Sequence, residues 1–299
     1  MKTKQIITII GASGFVGRNL IEYLLVKTDY SIRAVCRHPE GIVVPHNHQE
    51  RVQLISASVF DHRAMVESLA GASAAVYLVH MMGQRGNYVT QEAKAARLLG
   101  RAAAVAGLKR LVFLGGLGDD KQKLSKHLKS RHHTGQLLRE SAPLVIELRA
   151  SMIIGNGSSA FEIIKNLVHR LPIQTMPMWC TTKTQPITLL NTLQYITSVL
   201  SYPFDQHTTI EIGGPEQLSY QDLVQRYATF CGRKPILILI PIVPLWLGAW
   251  WLNLFTPRDH ARVGRPMVES LINPMIVTNN LASQLFPDIT LEPIESSFT

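Results

Sequence analysis

The chain is poor in cysteine, acidic residues and aromatic residues. Its 299 residues include three cysteines. Cys36, Cys180 and Cys231 lie far apart, without metal-ligand spacing, which excludes a disulfide framework and points to a reducing compartment. His132 and His133 show no partner acid or cysteine nearby, so no metal site is expected. Acids number 21 against 30 lysines and arginines, a formal charge of +9. Much of the excess falls on Lys121, Lys123, Lys126, Lys129, Arg131 and Arg139. That stretch reads as a solvated helix face, because no nucleic-acid-binding signature accompanies it and no nucleic-acid partner is expected. Gly-x-Ser-x-Gly is absent near any strand end, which argues against a serine hydrolase. The first strand is too short for a signal-peptide core, so the expected location is the cytoplasm.

What is present is most distinctive at the start. Ile6–Ile10 is a short apolar strand. It runs into Gly11, Ala12, Ser13, Gly14, Phe15, Val16 and Gly17, where a helix opens. Gly11 permits the tight turn, Gly14 lets a pyrophosphate approach, and Gly17 lets the helix pack on the strand. Free N–H groups at the helix start then face an anion. Strands at Ser31–Cys36, Val52–Ile55, Ala75–Val79, Arg110–Leu114 and Leu144–Leu148 alternate with helical segments. One such helix covers Thr90–Ala106, and Asp61 reads as the N-cap of another. The fold class expected is α/β, a doubly wound parallel sheet with a smaller C-terminal substrate-binding lobe. Residues 1–150 form the dinucleotide domain and 151–299 the lobe, with about 186–214 returning to the first domain.

These motifs resemble the short-chain dehydrogenase/reductase superfamily, in its extended, atypical, epimerase-like branch. Leu111–Gly116 looks like its fifth strand and active-site turn. Tyr77-Leu78-Val79-His80 and the segment from Ser125 to Arg131 look like a bacterial subgroup near the NmrA-like proteins and the dehydrogenase-like accessory subunit of respiratory complex I. The resemblance implies a Rossmann fold with NAD(P) bound along Gly11–Gly17. Ser58 and Val59 then lie at the adenine, where Ser58 replaces a frequent aspartate. Tyr77, Leu78 and Val79 line the other side, with Gly115 at the active-site turn. The second strand ends in Cys36-Arg37 without the carboxylate that selects NAD. Arg37 can pair with a 2′-phosphate, assisted by Arg18, so NADP(H) is expected in preference to NAD(H).

The superfamily's Tyr-x-x-x-Lys pair aligns with His127 and Arg131, four residues apart on one helical face. Arg131 can bind ribose hydroxyls as a fixed cation. His127 beside it is expected to be neutral and a poor proton donor. Two roles follow. One is a redox-sensing, regulatory or assembly protein that binds NADP(H), with an unidentified small molecule or protein partner. The other is an NADPH-dependent oxidoreductase or epimerase-like enzyme acting on a small, apolar carbonyl substrate. His80 reads either as a pocket residue or as a packed core histidine. Ile236–Phe255 is almost wholly apolar, broken by Pro241 and Pro244. It reads either as the floor of the lobe or as a surface meeting a partner or, peripherally, the inner membrane face.

Overall fold

The computed structural model describes residues 5–82, 87–241, 243–244, 246–248, 250 and 268–298. Part of the apolar stretch, including Trp251 to Phe255, lies outside the described residues, as does Gly83.

Seven parallel strands form the central sheet. They are β1 (Ile6–Ile10), β2 (Ser31–Cys36), β3 (Val52–Ser56), β4 (Ala74–Tyr77), β5 (Leu111–Gly116), β6 (Val145–Ala150) and, much later, β8 (Thr208–Ile212). The order is β8-β6-β5-β4-β1-β2-β3. Register runs from Ile10 opposite Val35 and Tyr77 to Ala150 opposite Ile212. The chain reverses its winding between β1 and β4, so a crevice opens beyond the strand ends there.

Helices cover both faces. Ile7 and Ile9 of β1 and Ile32 and Ala34 of β2 pack with α1 (Phe15–Lys27) and α6 (Leu189–Ser201) on one side. On the other lie α2 (His62–Leu69), α3 (Tyr88–Val105) and α4 (Lys126–Ser141), packed through Met65, Leu99 and Leu137. Near-continuous apolar strands fit a sheet buried on both sides. Asp61 caps α2 by accepting from the Ala64 amide at 3.0 Å. Ser125 caps α4.

The seventh strand, Thr208–Ile212, escaped the sequence reading. Its pattern is broken by Glu211, an acid in a strand buried on both faces. The structure satisfies Glu211 with the amide and hydroxyl of Thr278, at 2.6 and 2.8 Å. Only a segment 67 residues away removes the cost of burying that carboxylate.

The remaining chain builds a smaller cluster: α5 (Ser159–Arg170), β7 (Ile173–Pro177), α7 (Tyr220–Phe230) and β9 (Ile236–Ile240). α7 opens with a capping box between Ser219 and Asp222. β9 pairs in parallel with β7 in a two-stranded ribbon. Among the described residues no helix is long and apolar enough to cross a membrane.

Candidate active site

A cavity of about 660 Å³ lies along the carboxyl edge of the sheet. Its near end is made of backbone. Gly11 has φ +92°, and a Cβ there would stand 3.0 Å from the Val79 nitrogen. A Cβ at Gly17 would meet the Gly11 oxygen at 2.5 Å, so glycine lets α1 sit directly on the turn. The amide of Gly14 donates to the Gly11 oxygen at 3.0 Å, which tightens the loop. Ser13, Gly14, Phe15 and Val16 line the cavity where the N-terminus of α1 begins. This is the cradle a pyrophosphate requires, and its residues fit a dinucleotide.

Arg37 is exposed on the cavity wall just past β2. Arg18 is exposed but does not line it. Ser58 and Val59 line the same end, with Phe60 beside them. Asp61 is engaged as the cap of α2. Leu78, Val79 and Gly115 also face the cavity. Tyr77 does not. It is fully buried, and its ring stacks on Phe113 with centroids 5.9 Å apart. The alternation of strand side chains sends Leu78 one way and Tyr77 the other, into the core under α3 and α4.

The far end is made of side chains, and its centre is the buried Glu92, which the sequence reading missed. Glu92 lies on α3 and is 1% exposed. Its carboxylate bonds Nδ1 of His80 at 2.9 Å and accepts from the Met81 amide at 3.2 Å. It also takes a short hydrogen bond from the Ser130 hydroxyl and lies 3.5 Å from Nη1 of Arg131. Burial alone would raise this carboxyl. The His80 bond and the Arg131 charge outweigh burial and hold it at about 2.

Arg131 differs from expectation. It is buried, donates to the carbonyls of Leu114 at 2.5 Å and Val79 at 3.3 Å, and stacks over Phe113. Its guanidinium is spent joining α4 to the ends of β4 and β5, rather than held out as a free cation for ribose. It reaches the cavity as part of the wall.

His127 lines the cavity, and its ring lies 5.0 Å from that of His80. Its Nδ1 is buried without a hydrogen-bond partner. Burial lowers its pKa first, then the neighbouring His80 and Arg131, to about 3. The neutral ring was expected from like charge alone, but burial is the larger cause. His80 is also lowered, because burial outweighs the bond to Glu92.

Behind this cluster lies a second network. Asp120 pairs with His132 and, at 2.9 Å, with Arg149. Arg149 bonds Glu147 at 3.0 Å, and Arg139 pairs with the same carboxylate. His132 therefore does have a partner acid, which the loop after β5 folds back from twelve positions upstream. The supposed solvated basic face is real only for Lys121, Lys123, Lys126 and Lys129, which are exposed. Gly115 and Gly135 exist for this network: a Cβ on either would stand within 2.8 Å of Glu147 oxygens.

The wall also includes Ser151, Ser158, Ala160, Leu271 and Met275 from beyond residue 150. No local signal marked them, since only tertiary folding brings them to the cleft.

The glycine cradle and doubly wound sheet define a dinucleotide-binding protein of the Rossmann type. Residues 11–152 match the model of the NAD(P)H-binding family. The chain is 21% identical over 295 residues to ceramide reductase of Caulobacter vibrioides, covering 97% of this chain and 81% of that protein. It is 26% identical over 120 residues to cinnamoyl-CoA reductase 1 of Oryza sativa subsp. japonica, covering 38% of this chain and about a third, 35%, of the rice protein's length. Among solved structures, a nucleoside-diphosphate-sugar epimerase from Staphylococcus aureus aligns with TM-score 0.76 at 15% identity, covering 98% of this chain and 99% of that one. An NADPH-dependent quinone oxidoreductase from Escherichia coli, complexed with NADPH, aligns with TM-score 0.75 at 18% identity, covering 98% of both chains. Residues 11–152 are thus similar to the NAD(P)H-binding family, and the chain shares its fold with an epimerase and an oxidoreductase.

Proposed function

We propose that the protein binds NADP(H) along the cleft and reduces a carbonyl group on an apolar substrate. The observation that carries this is the neutral, cavity-lining His127 at the position of the superfamily's tyrosine, beside a His80–Glu92 pair. The names of the two reductases matched in sequence support the reaction class. Gly11–Gly17 hold the pyrophosphate, Ser58 and Val59 the adenine, and Arg37 a 2′-phosphate, which favours NADP(H) over NAD(H). Leu78, Val79 and Gly115 flank the rest of the dinucleotide.

When bound, the cofactor supplies the hydride for the carbonyl carbon. His127, kept neutral by burial, donates a hydrogen bond that polarises the carbonyl oxygen. A neutral imidazole suits this role because it adds no second cation beside Arg131. His80 is oriented through Nδ1 by Glu92, and its Nε2 takes up a proton from solvent and passes it to the alkoxide oxygen, so the ring starts and ends neutral and the alcohol is completed. Arg131 positions: it ties α4, and with it His127, to the sheet edge.

A second reading, a dinucleotide-binding regulator without turnover, is favoured by the fate of Arg131. Its donors face protein carbonyls and Glu92, so the lysine's ribose contact has no direct successor. NADPH oxidation with a series of aliphatic aldehydes and ketones separates the two. Turnover is expected, and His127→Phe should lower kcat by about 100-fold at unchanged NADPH affinity. Tight NADPH binding with no turnover on any carbonyl would leave the regulator standing.

A further inference from the structure

A second cavity of about 270 Å³ adjoins the cleft. Met152, Ala160, Tyr220 and Leu271 form walls of both cavities, so the two adjoin along the part of the cleft wall built by residues beyond 150. α5 contributes Ile163, Ile164 and Leu167, and the opposite side comes from Met176, Val224 and Ile240.

Of its polar side chains, Gln174 and Trp179 are spent on backbone carbonyls, while the Tyr220 hydroxyl, on the wall shared with the cleft, is buried without a hydrogen-bond partner among the described residues. The Gln174 amide donates back to the carbonyls of Leu167 and Leu171, at 3.2 and 3.3 Å. The Trp179 indole donates to the Val243 carbonyl at 3.3 Å. Burial pushes the Cys180 thiol up to about 12, so it stays uncharged. Among the described residues, no charged side chain lines the chamber. A sugar or nucleotide would leave most of its hydroxyls unsatisfied here. A hydrocarbon has nothing to satisfy.

The outer wall is apolar as well. Leu247 lines the chamber and is exposed to solvent. The segment carrying it also exposes Ile236, Ile238, Leu239, Trp246 and Trp250. The chamber therefore has an apolar rim as well as an apolar interior.

We infer that this chamber holds the hydrocarbon tail of the substrate, a single aliphatic chain whose polar head lies in the cleft beside His127. The placement of the head rests on the reductase reading, whereas binding of the tail does not. The tail can arrive from a monomer in water or from a lipid surface, and the chamber's chemistry is the same for both.

The test uses the full chain and a fatty acid carrying a dansyl group at its far end. Binding is followed by the blue shift and rise of dansyl emission, and unlabelled saturated fatty acids compete. Displacement should strengthen at least tenfold between six and twelve carbons. Leu167→Trp, which fills the chamber from a half-buried position, and Leu247→Glu, which charges the exposed rim, should each weaken probe binding at least tenfold. NADPH titration of both variants should be unchanged. A parallel arm offers the protein vesicles of zwitterionic and of anionic phospholipid. Co-sedimentation that Leu247→Glu abolishes assigns loading to a lipid surface, and its absence with intact monomer binding assigns loading to water. No chain-length dependence in the wild type, or displacement of the probe by NADPH alone, would overturn the chamber. Neither result touches the cofactor assignment, which NADPH titration reads separately.

Discussion

The two ends of the cleft are built by different means. At the glycine end the geometry is backbone, set by residues adjacent in sequence from Ile10 to Gly17 and anchored on the backbone of Val35 and Val79. At the His127 end the geometry is side chains drawn from α3, α4 and two strand ends, held by a buried carboxylate. The first kind of site is robust to its surroundings and legible as a motif. The second depends on charges that are stable only in one another's company.

That contrast explains what the sequence disclosed. Gly11, Gly14 and Gly17 announced themselves because a βα turn obeys local rules. The Asp61 cap and most strands followed for the same reason. Glu92 did not, because in sequence it is an ordinary polar residue of an alanine-rich helix. Its role appears only when the β4–α3 connection brings His80 beneath it. Asp120 escaped similarly, and so His132 seemed unpaired. Tyr77 was misplaced by one step of strand alternation. Thr208–Ile212 was hidden by Glu211, whose partner Thr278 lies far along the chain.

The sharpest break in the comparison is expected at Glu92. Glu92→Gln removes the carboxylate but leaves the buried Arg131 without its acid. Loss of one member of a buried pair costs about 3–5 kcal/mol. Chemical denaturation should show that loss, while Gly14 and Arg37, at the backbone end, keep their contribution to NADPH binding in whatever fraction remains folded. A change below about 1 kcal/mol would mean the far end is not organised by charge.

A smaller effect is expected from pH. His127 has its folded pKa depressed from 6.5 to about 3, and Glu92 from 4.5 to about 2. In both cases the unfolded chain binds more protons in acid. The stabilisation is therefore present above the unfolded values and is lost as pH falls, first from about 6.5 through His127 and then from about 4.5 through Glu92. His127→Phe should flatten this decline from about pH 6.5 down to about 3 and leave the Glu92 part, between about 4.5 and 2. Thermal melts of both proteins across that range check it. An unchanged upper limb would show that His127 is not buried neutral.

The central claim, that this cleft is an NADP(H) site set by the glycine cradle and Arg37, is tested most directly by one titration. Nicotinamide fluorescence is followed for wild type, Gly14→Val and Arg37→Asp with NADPH and with NADH, using circular dichroism to confirm folding. The account predicts saturable binding with NADPH the tighter ligand. It predicts none in Gly14→Val, where a branched side chain enters the pyrophosphate's path, and a loss of about 2–3 kcal/mol for NADPH alone in Arg37→Asp. Binding that survives Gly14→Val in a folded protein, or an equal loss of both cofactors in Arg37→Asp, would contradict it.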